Sequence, residues 1–393
     1  MTVNELRTDF TALDLYRLPS PCFVVDEVAV RQNLEILRQV QEVSGARILA
    51  ALKAFSMWSL GGLISSHLSG TCSSGLHELR LAHEHYGGEH HVFSAAYAER
   101  DLPEILAIAH TVVFNSCSQW QRFQALIEDA RRSRPELQFG LRINPEHSEG
   151  TTPLYDPCAP GSRLGIPMGE LKPELLAGIN GLHFHTLCEQ DFPPLQRTLQ
   201  VVEEKFGSYF EAMQWINFGG GHHITRADYQ RSALIKTIRE FADRYEVQVY
   251  LEPGEAIAIG SGVLVAEVLD INSNGGMTQA IMDTSATCHM PDTLEMPYRA
   301  EVLGAGLPEQ LPHTYRLGGM TCLAGDVMGD YSFARPLEVG QRLIFTDMSH
   351  YTMVKTTTFN GTKLPAIALW NSETGSLKVV REFGYEDFKN RLS

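Results

Sequence analysis

The sequence predicts an α/β protein in which a (β/α)8 barrel is followed by a mostly-β domain. Between residues 47 and 252, eight apolar strand-like segments alternate with polar segments that are compatible with helices. This alternation is typical of a closed parallel barrel. After Gly262 the pattern changes to short strand-like segments with turn signals. We therefore place the barrel at residues 27–262 and assign residues 1–26 and 263–393 to the second domain.

The eight barrel strands are predicted in chain order from runs of apolar and β-branched residues. They lie near residues 47–53, 68–72, 91–95, 111–115, 138–144, 180–186, 214–219 and 247–252. Helices are predicted between most of them, for example over 118–132 and 229–245. A short strand that ends at Asp26 comes before the barrel and can join the second domain.

In the second domain, a strand over 262–270 leads into Asn272-Ser273-Asn274-Gly275-Gly276, which is a strong hairpin-turn signal. Further strands are predicted near 279–283, 313–317, 341–346 and 366–371, and a helix is predicted at 385–392.

Composition and charge narrow the class of protein. The 393 residues are 44% hydrophobic and 20% charged, as in globular proteins of more than one domain. The formal net charge of −15 argues against non-specific nucleic-acid binding and is compatible with a cationic substrate. No apolar run is long enough to cross a membrane. The N-terminus lacks the pattern of a secretion signal, and the seven cysteines lack CxxC spacing, so we expect reduced thiols in the cytoplasm.

The first barrel strand leads to a lysine, Lys53. Its continuous apolar run indicates a strand buried on both faces, and barrels place their chemistry at the carboxyl ends of such strands. A desolvated lysine loses its proton more readily and becomes an amine able to form a Schiff base. The alternative is a lysine that simply reaches solvent, because buried lysines are rare.

Later strands end in other residues that suit a cofactor: Arg142, His183, His185, Gly219-Gly220-Gly221 and Glu252. The three glycines can expose backbone N–H groups to a phosphate, or they form only a tight turn. Together these groups match the needs of pyridoxal phosphate (PLP). Its aldehyde needs an amine, its phosphate needs donors, its ring face needs a flat partner, and its pyridinium nitrogen needs an anion.

At this point the sequence resembles the fold-III (alanine racemase-like) PLP-dependent decarboxylases, the relatives of ornithine and diaminopimelate decarboxylases. The resemblance covers nearly the whole chain in the family's order. It is carried by Ala51-Leu52-Lys53-Ala54, Leu141-Arg142-Ile143-Asn144-Pro145, His183-Phe184-His185, Phe218-Gly219-Gly220-Gly221, Glu252-Pro253-Gly254, Gly319-Met320-Thr321-Cys322-Leu323-Ala324-Gly325-Asp326, His350-Tyr351 and Phe359-Asn360-Gly361.

Three further stretches, at 154–165, 183–190 and 289–292, are similar to the branch that acts on carboxynorspermidine and carboxyspermidine. The resemblance implies their decarboxylation to norspermidine or spermidine, a step of polyamine biosynthesis. The family's usual Glu-Pro-Gly-Arg is Glu-Pro-Gly-Glu here, so Glu255 replaces an arginine expected beside the phosphate. A carboxylate at this position can instead bind a substrate amine.

The resemblance also implies a role for each matched residue. Lys53 would hold PLP, Glu252 would keep its pyridine nitrogen protonated, and His185 would stack on its ring. The remaining cofactor ligands would be Arg142, Gly219, Gly220, Gly221 and Tyr351, with Tyr351 on the phosphate. Cys322 would protonate the α-carbon after CO2 leaves, in the partner subunit's site, which implies a homodimer. Glu255, Asp292 and Asp326 are candidates to bind the ammonium groups of the substrate.

Several alternatives stay open at this point. One is a fold-III enzyme for another substrate, such as a diaminopimelate or ornithine decarboxylase or a racemase. A racemase would need a catalytic tyrosine rather than Cys322, and a distal substrate carboxylate would need an arginine at Glu255. A non-catalytic regulator on the same fold has no reason to retain Lys53, Glu252 and Cys322. A metal-dependent hydrolase is disfavoured because the histidine pairs lack metal-ligand spacing, so we expect no metal.

Overall fold

The computed structural model describes residues 6–150 and 152–393. Residues 1–5, which belong to the segment for which we expect no secretion signal, lie outside the described residues. The chain forms two compact units. The barrel unit is Asn33–Ile257, and the sheet unit combines the preceding residues with Ala258–Ser393. Within the described residues, no helix is long and apolar enough to cross a membrane.

The strands are β1 (Cys22–Asp26), β2 (Arg47–Ala51), β3 (Gly70–Ser73), β4 (Glu89–Phe93), β5 (Thr111–Phe114), β6 (Gln138–Asn144), β7 (Ile166–Pro167), β8 (Gly181–His183), β9 (Trp215–Asn217), β10 (Gln248–Leu251), β11 (Gly262–Asn274), β12 (Met277–Met282), β13 (His313–Gly318), β14 (Val327–Phe333), β15 (Arg342–Thr346), β16 (Ala366–Asn371) and β17 (Ser376–Arg381). The α-helices are α1 (Glu27–Ser44), α2 (Gly61–Ser65), α3 (Leu76–His85), α4 (Leu102–Ile108), α5 (Cys117–Arg122), α6 (Gln124–Ser133), α7 (Phe192–Phe206), α8 (Arg231–Tyr245), α9 (Glu255–Ala258), α10 (Ala286–His289), α11 (Asp292–Glu295) and α12 (Tyr385–Lys389).

Eight strands of the barrel unit close into the predicted parallel barrel. Their order around the barrel is β2, β3, β4, β5, β6, β8, β9 and β10, and β10 pairs again with β2. The short strand β7 pairs with β6 outside this ring. Strand β2 ends at Ala51, two residues earlier than the predicted end at 53, so Lys53 lies in the turn that follows.

The helices of the barrel unit form because one face of each carries apolar residues at helical spacing. In α8 the buried residues are Leu234, Ile238 and Phe241, which fall on one face. The helix predicted over 118–132 is instead two helices, α5 and α6, separated at Phe123. Phe123 leaves helical geometry and buries its ring against Phe114, and this packing outweighs helical continuity.

The sheet unit is a mixed sheet in the order β14, β13, β12, β11, β1, β16 and β17, with β15 also paired to β11. Strand β1 lies in its middle, antiparallel to β11 and parallel to β16. The predicted hairpin turn is confirmed at Gly275 and Gly276, whose φ angles of 59° and 84° suit a two-residue turn. The prediction missed β14, which contains glycine and polar residues, and β17, whose side chains are mostly exposed.

The barrel interior includes Trp215, whose indole lies against two glycines on neighbouring strands. A Cβ on Gly181 would come within 2.1 Å of the Trp215 ring, and a Cβ on Gly140 within 2.4 Å. The absence of side chains at both glycines therefore makes room for this buried ring.

We expect Gly181→Ala to lower the free energy of unfolding by about 1–3 kcal/mol, because the added methyl group overpacks the barrel. The matched control is Gly62→Ala in α2, where no atom lies within 4 Å of the added Cβ. The control should leave stability unchanged or raise it by up to about 1 kcal/mol. Urea unfolding of both variants measures this, and equal stability of Gly181→Ala and the wild type would contradict the packing.

Candidate active site

Lys53 follows β2 at the carboxyl-terminal end of the barrel strands, and its Nζ lies 3.3 Å from His185 Nε2. The side chain keeps access to solvent on one side. Desolvation by the surrounding protein nevertheless lowers the pKa of Lys53, and the Arg142 charge lowers it further. Nearby Glu252 opposes this shift without cancelling it. The amine of Lys53 is therefore easier to deprotonate than an ordinary lysine.

The contacts of His185 also favour a neutral Lys53 amine. Its Nδ1 accepts a hydrogen bond from the Gly220 N–H at 3.0 Å. Burial, together with the charges of Lys53 and Arg142, holds the pKa of His185 well below its usual value, so the ring is neutral. With Nδ1 as an acceptor, the proton of the neutral ring is on Nε2. An Nε2–H that donates to Lys53 needs a lone pair on Nζ, which is the nucleophilic form of the amine.

Glu252 follows β10 and is half-buried, with 14% of its side chain exposed. Its Oε2 is 3.3 Å from His183 Nε2, and its Oε1 accepts a hydrogen bond from Asn217 Nδ2 at 2.7 Å. Burial by itself would raise the pKa of Glu252, but His183 and Asn217 lower it to about 2. Glu252 is therefore ionised at neutral pH and supplies the anion that a pyridinium nitrogen requires.

Arg142 is buried on β6 and supports His185. It donates from Nη2 to the His185 carbonyl at 3.1 Å, and its guanidinium lies 4.6 Å from the centre of the Phe93 ring. Burial lowers the pKa of Arg142 to about 10, so it still carries its charge at neutral pH. This positive charge faces the Lys53 amine and favours its neutral form.

The three glycines form a crowded turn after β9. A Cβ on Gly220 would lie 2.0 Å from the Glu252 carbonyl oxygen, and one on Gly221 would lie 1.9 Å from the Leu187 carbonyl oxygen. The Gly219 N–H donates to Asn217 Oδ1 at 2.8 Å, and the Gly220 N–H donates to His185. Two of the three amides are thus used within the protein, and their first effect is to orient Asn217 and His185.

Asn217 and the pair of His222 and His223 were not among the predicted site residues, and His183 was noted at the end of its strand without an assigned role. His222 is buried, its Nδ1 lies 2.6 Å from the Tyr229 hydroxyl, and burial lowers its pKa to about 3. The signal that could have identified Asn217 is its position as a polar residue at the end of an otherwise buried strand.

Glu255 begins α9, and its Oε1 lies 3.4 Å from His223 Nε2. Burial lowers the pKa of His223, but the Glu255 carboxylate and the charge of Glu189 outweigh burial and raise it. Glu255 therefore already faces an imidazole that gains a proton easily. Its predicted role toward the substrate stays a prediction.

The other predicted residues belong to the sheet unit. Asp292 and Glu295 both contact Lys355, and although burial opposes it, these contacts raise the pKa of Lys355 to about 12. Tyr351 is half-buried with a left-handed backbone, φ 42°. Cys322 is exposed and shares one loop with the buried Asp326. The structure thus brings together Lys53, His185, Glu252, Arg142 and the glycines in one unit, and Cys322 and Asp326 in the other.

An amine with a lowered pKa beside an imidazole and an ionised carboxylate, all at the carboxyl ends of a parallel barrel, defines a barrel of the PLP-binding class. A family model described as pyridoxal-dependent decarboxylase, C-terminal sheet domain, matches residues 22–349. The carboxyaminopropylagmatine decarboxylase of Synechocystis sp. is 45% identical over 379 residues, which cover 96% of either chain.

The carboxynorspermidine/carboxyspermidine decarboxylase of Campylobacter jejuni is 42% identical, with 95% of this chain and 99% of that relative covered. The crystal structure of carboxynorspermidine decarboxylase from Campylobacter jejuni, complexed with norspermidine, has a TM-score of 0.87 at 41% identity and covers 95% of this chain and 100% of that one.

The chain belongs to the pyridoxal-dependent decarboxylases. Its cofactor is PLP, and its fold is the alanine racemase-like fold of that family. The predicted family, fold class and cofactor are confirmed.

The lowered pKa of Glu252 predicts how stability depends on pH. Because the pKa in the folded protein is about 2 against 4.5 for the free group, ionised Glu252 stabilises the fold above about pH 4.5. This stabilisation is lost as the pH falls toward 2. Glu252→Gln should therefore lower the free energy of unfolding at pH 7 by on the order of 1–3 kcal/mol. The difference from the wild type should shrink between pH 4.5 and 3.

Urea unfolding across this pH range measures the effect. The exposed Glu211 supplies the control, since Glu211→Gln should change stability little at any pH. A Glu252→Gln difference that stays constant down to pH 3 would contradict the ionised state of Glu252.

Proposed function

We propose that the protein decarboxylates carboxynorspermidine or carboxyspermidine to norspermidine or spermidine, as a step of polyamine biosynthesis. The observation that carries the proposal is the Lys53–His185–Glu252 arrangement, in a chain similar over nearly its whole length to carboxynorspermidine/carboxyspermidine decarboxylases. The net charge of −15 agrees with a substrate that carries several ammonium groups.

The site residues fit PLP. Lys53 offers an amine with a lowered pKa, and Glu252 offers a carboxylate that is already ionised. PLP supplies the aldehyde to which the amine bonds and a ring that accepts the electrons released as CO2 leaves.

Glu252 would hold the proton of the pyridine nitrogen, and the neutral His185 ring would lie flat against the cofactor. Of the three glycine amides, that of Gly221 has no acceptor among the described residues, so we assign it to the phosphate together with Tyr351. The Cys322 thiol would deliver a proton to the α-carbon once CO2 has left.

The proposal includes a homodimer in which Cys322 serves the partner's cofactor. It is supported by exposed apolar side chains around Cys322: Met320 is 44% exposed, Leu323 45% and Phe359 44%. Exposed apolar patches of this kind mark surfaces that another protein covers. The proposed cytoplasmic location rests on the sequence alone.

We retain Glu255 as the carboxylate that binds a substrate ammonium group. Asp292 already shares Lys355 with Glu295, and Asp326 is surrounded by donors of its own chain. Glu255 is half-buried beside His223, so a substrate amine that meets it does so away from bulk water, where such a pair is strong.

A second candidate substrate is carboxyaminopropylagmatine. It is favoured because the Synechocystis relative with that activity is 45% identical to this chain. This substrate ends in a planar guanidinium group, which can donate two parallel hydrogen bonds to the two oxygens of one carboxylate, whereas a terminal ammonium group donates to a single carboxylate oxygen.

The test is an assay of CO2 release from carboxynorspermidine, carboxyspermidine, carboxyaminopropylagmatine, diaminopimelate and ornithine. We expect the highest kcat/KM for one of the first two. A clear preference for carboxyaminopropylagmatine would support the second candidate, and no activity on any of the five would overturn both.

Lys53→Ala should lower kcat by at least about a thousandfold, because the amine that bonds to PLP is lost. Borohydride reduction of the wild type followed by peptide mapping should leave the pyridoxyl group on Lys53. Lys236→Ala, at an exposed lysine of α8, is the control and should keep normal activity. A pyridoxyl group on another lysine would refute the assignment.

Glu255→Gln should raise the KM for the cationic substrate about tenfold, because one charge-assisted contact is lost, while the affinity for PLP changes little. Steady-state kinetics and PLP titration separate the two effects. Weaker PLP binding with an unchanged KM would instead assign Glu255 to the cofactor.

A further inference from the structure

Cys322 lies in a loop that joins β13 to β14 and is closed at its base. The Gly319 N–H donates to the Asp326 carbonyl at 2.8 Å, and the Asp326 N–H donates to the Leu323 carbonyl at 3.0 Å. Cys322 and the flanking Met320 and Leu323 are exposed. Packing therefore contributes little to the conformation of the loop tip within the chain, and hydrogen bonds must define it.

The Asp326 side chain holds the first half of this loop. Its Oδ2 accepts from the Thr321 hydroxyl at 2.6 Å and from the Thr321 N–H at 3.2 Å. The same carboxylate accepts from the Ser285 hydroxyl at 2.9 and 3.0 Å and from the Thr287 N–H at 3.2 Å. Asp326 is buried, so the contacts by which it joins the loop to the start of α10 are shielded from water.

Gly319 makes this arrangement possible. A Cβ on Gly319 would lie 2.3 Å from Asp326 Oδ2, so any side chain there would displace the carboxylate. The glycine at this place in the motif is thus explained by the close approach of Asp326 rather than by a special backbone angle.

The Asn360 side chain holds the next residue. The Cys322 N–H donates to Asn360 Oδ1 at 2.8 Å. Asn360 has a left-handed backbone, φ 59°, and Gly361 follows at φ 72°. Asparagine tolerates this conformation better than most residues. Asn360 therefore both adopts the left-handed backbone of the turn and supplies its side-chain Oδ1 as the acceptor for Cys322.

We propose that Asn360 and Asp326 are positioning residues that together fix the backbone of Cys322 and thereby aim its thiol. The proposal rests on the proposed function, in which Cys322 delivers a proton to the substrate carbon. With the amides of Thr321 and Cys322 both held, the thiol retains only rotation about its own Cα–Cβ bond. Proton delivery to one face of one carbon needs this restriction, since misplacement by about 1 Å can cost a hundredfold in rate.

Three substitutions at Asn360 separate its two contributions. Asn360→Gly permits the left-handed backbone but removes the acceptor, Asn360→Asp keeps an acceptor at the same position, and Asn360→Ala loses both. Hydrogen exchange of the 319–326 peptide in the PLP-loaded enzyme is the readout that does not depend on turnover. We expect exchange at Cys322 to be at least about tenfold faster in Asn360→Gly and close to wild type in Asn360→Asp.

Kinetics of the same variants give the second readout. Asn360→Gly should lower kcat about tenfold with KM and PLP affinity within about twofold, and Asn360→Asp should restore kcat to within about threefold of the wild type. In a Cys322→Ala background, Asn360→Gly should cause no further loss, because a positioning residue acts only through the group that it positions.

Asp326→Asn, which removes acceptor capacity while keeping the shape, should also speed exchange of the 319–326 peptide. Asp330→Asn is its matched control, since Asp330 pairs with Arg316 at 2.7 Å on neighbouring strands. Unchanged exchange in Asn360→Gly, or a full further loss of kcat in the Cys322→Ala background, would overturn the proposal. If the wild type decarboxylates none of the five substrates, the proposed function fails, and the exchange data still decide whether the loop is anchored.

Discussion

The hydrogen bond from the Gly220 amide to His185 Nδ1 is the contact on which the candidate site depends. It determines which ring nitrogen carries the proton, and so determines what His185 can offer to Lys53. Because an Nε2–H faces the amine, the contact favours the neutral form of Lys53 that a lysine nucleophile requires. A crowded glycine turn thereby influences the protonation state of a side chain on another strand.

The charges around the site divide into two groups with different physical states. Glu252 is half-buried beside two donors, and although burial opposes it, His183 and Asn217 lower its pKa to about 2, so it is ionised at neutral pH. Glu255 faces His223, and this contact raises the pKa of the imidazole, which therefore holds a proton more readily than a free histidine does. A fixed anion suits a cofactor that must stay protonated at one nitrogen.

In the sheet unit, side-chain hydrogen bonds hold an exposed loop in one conformation. Cys322 lies where apolar burial cannot order the chain, and the structure supplies side-chain acceptors for the amides of Thr321 and Cys322 instead. Asp326 matched a family motif as a candidate substrate ligand. The donors that surround it favour an anchoring role, because a carboxylate with so many contacts has little capacity left for an ammonium group.

The sequence by itself determined the barrel, its eight strands, the lysine after the first strand and the family, because hydrophobic periodicity and motif order are local properties of the chain. It could not reveal that Phe123 interrupts a helix, that β14 pairs with β13 and β17 with β16, or that two glycine amides serve Asn217 and His185. Those outcomes depend on which groups meet once the chain folds, and hydrophobic periodicity does not show this. Tertiary structure alone decided the protonation states of Lys53, His185 and Glu252, because a pKa is set by burial and by neighbouring charges that only folding brings together.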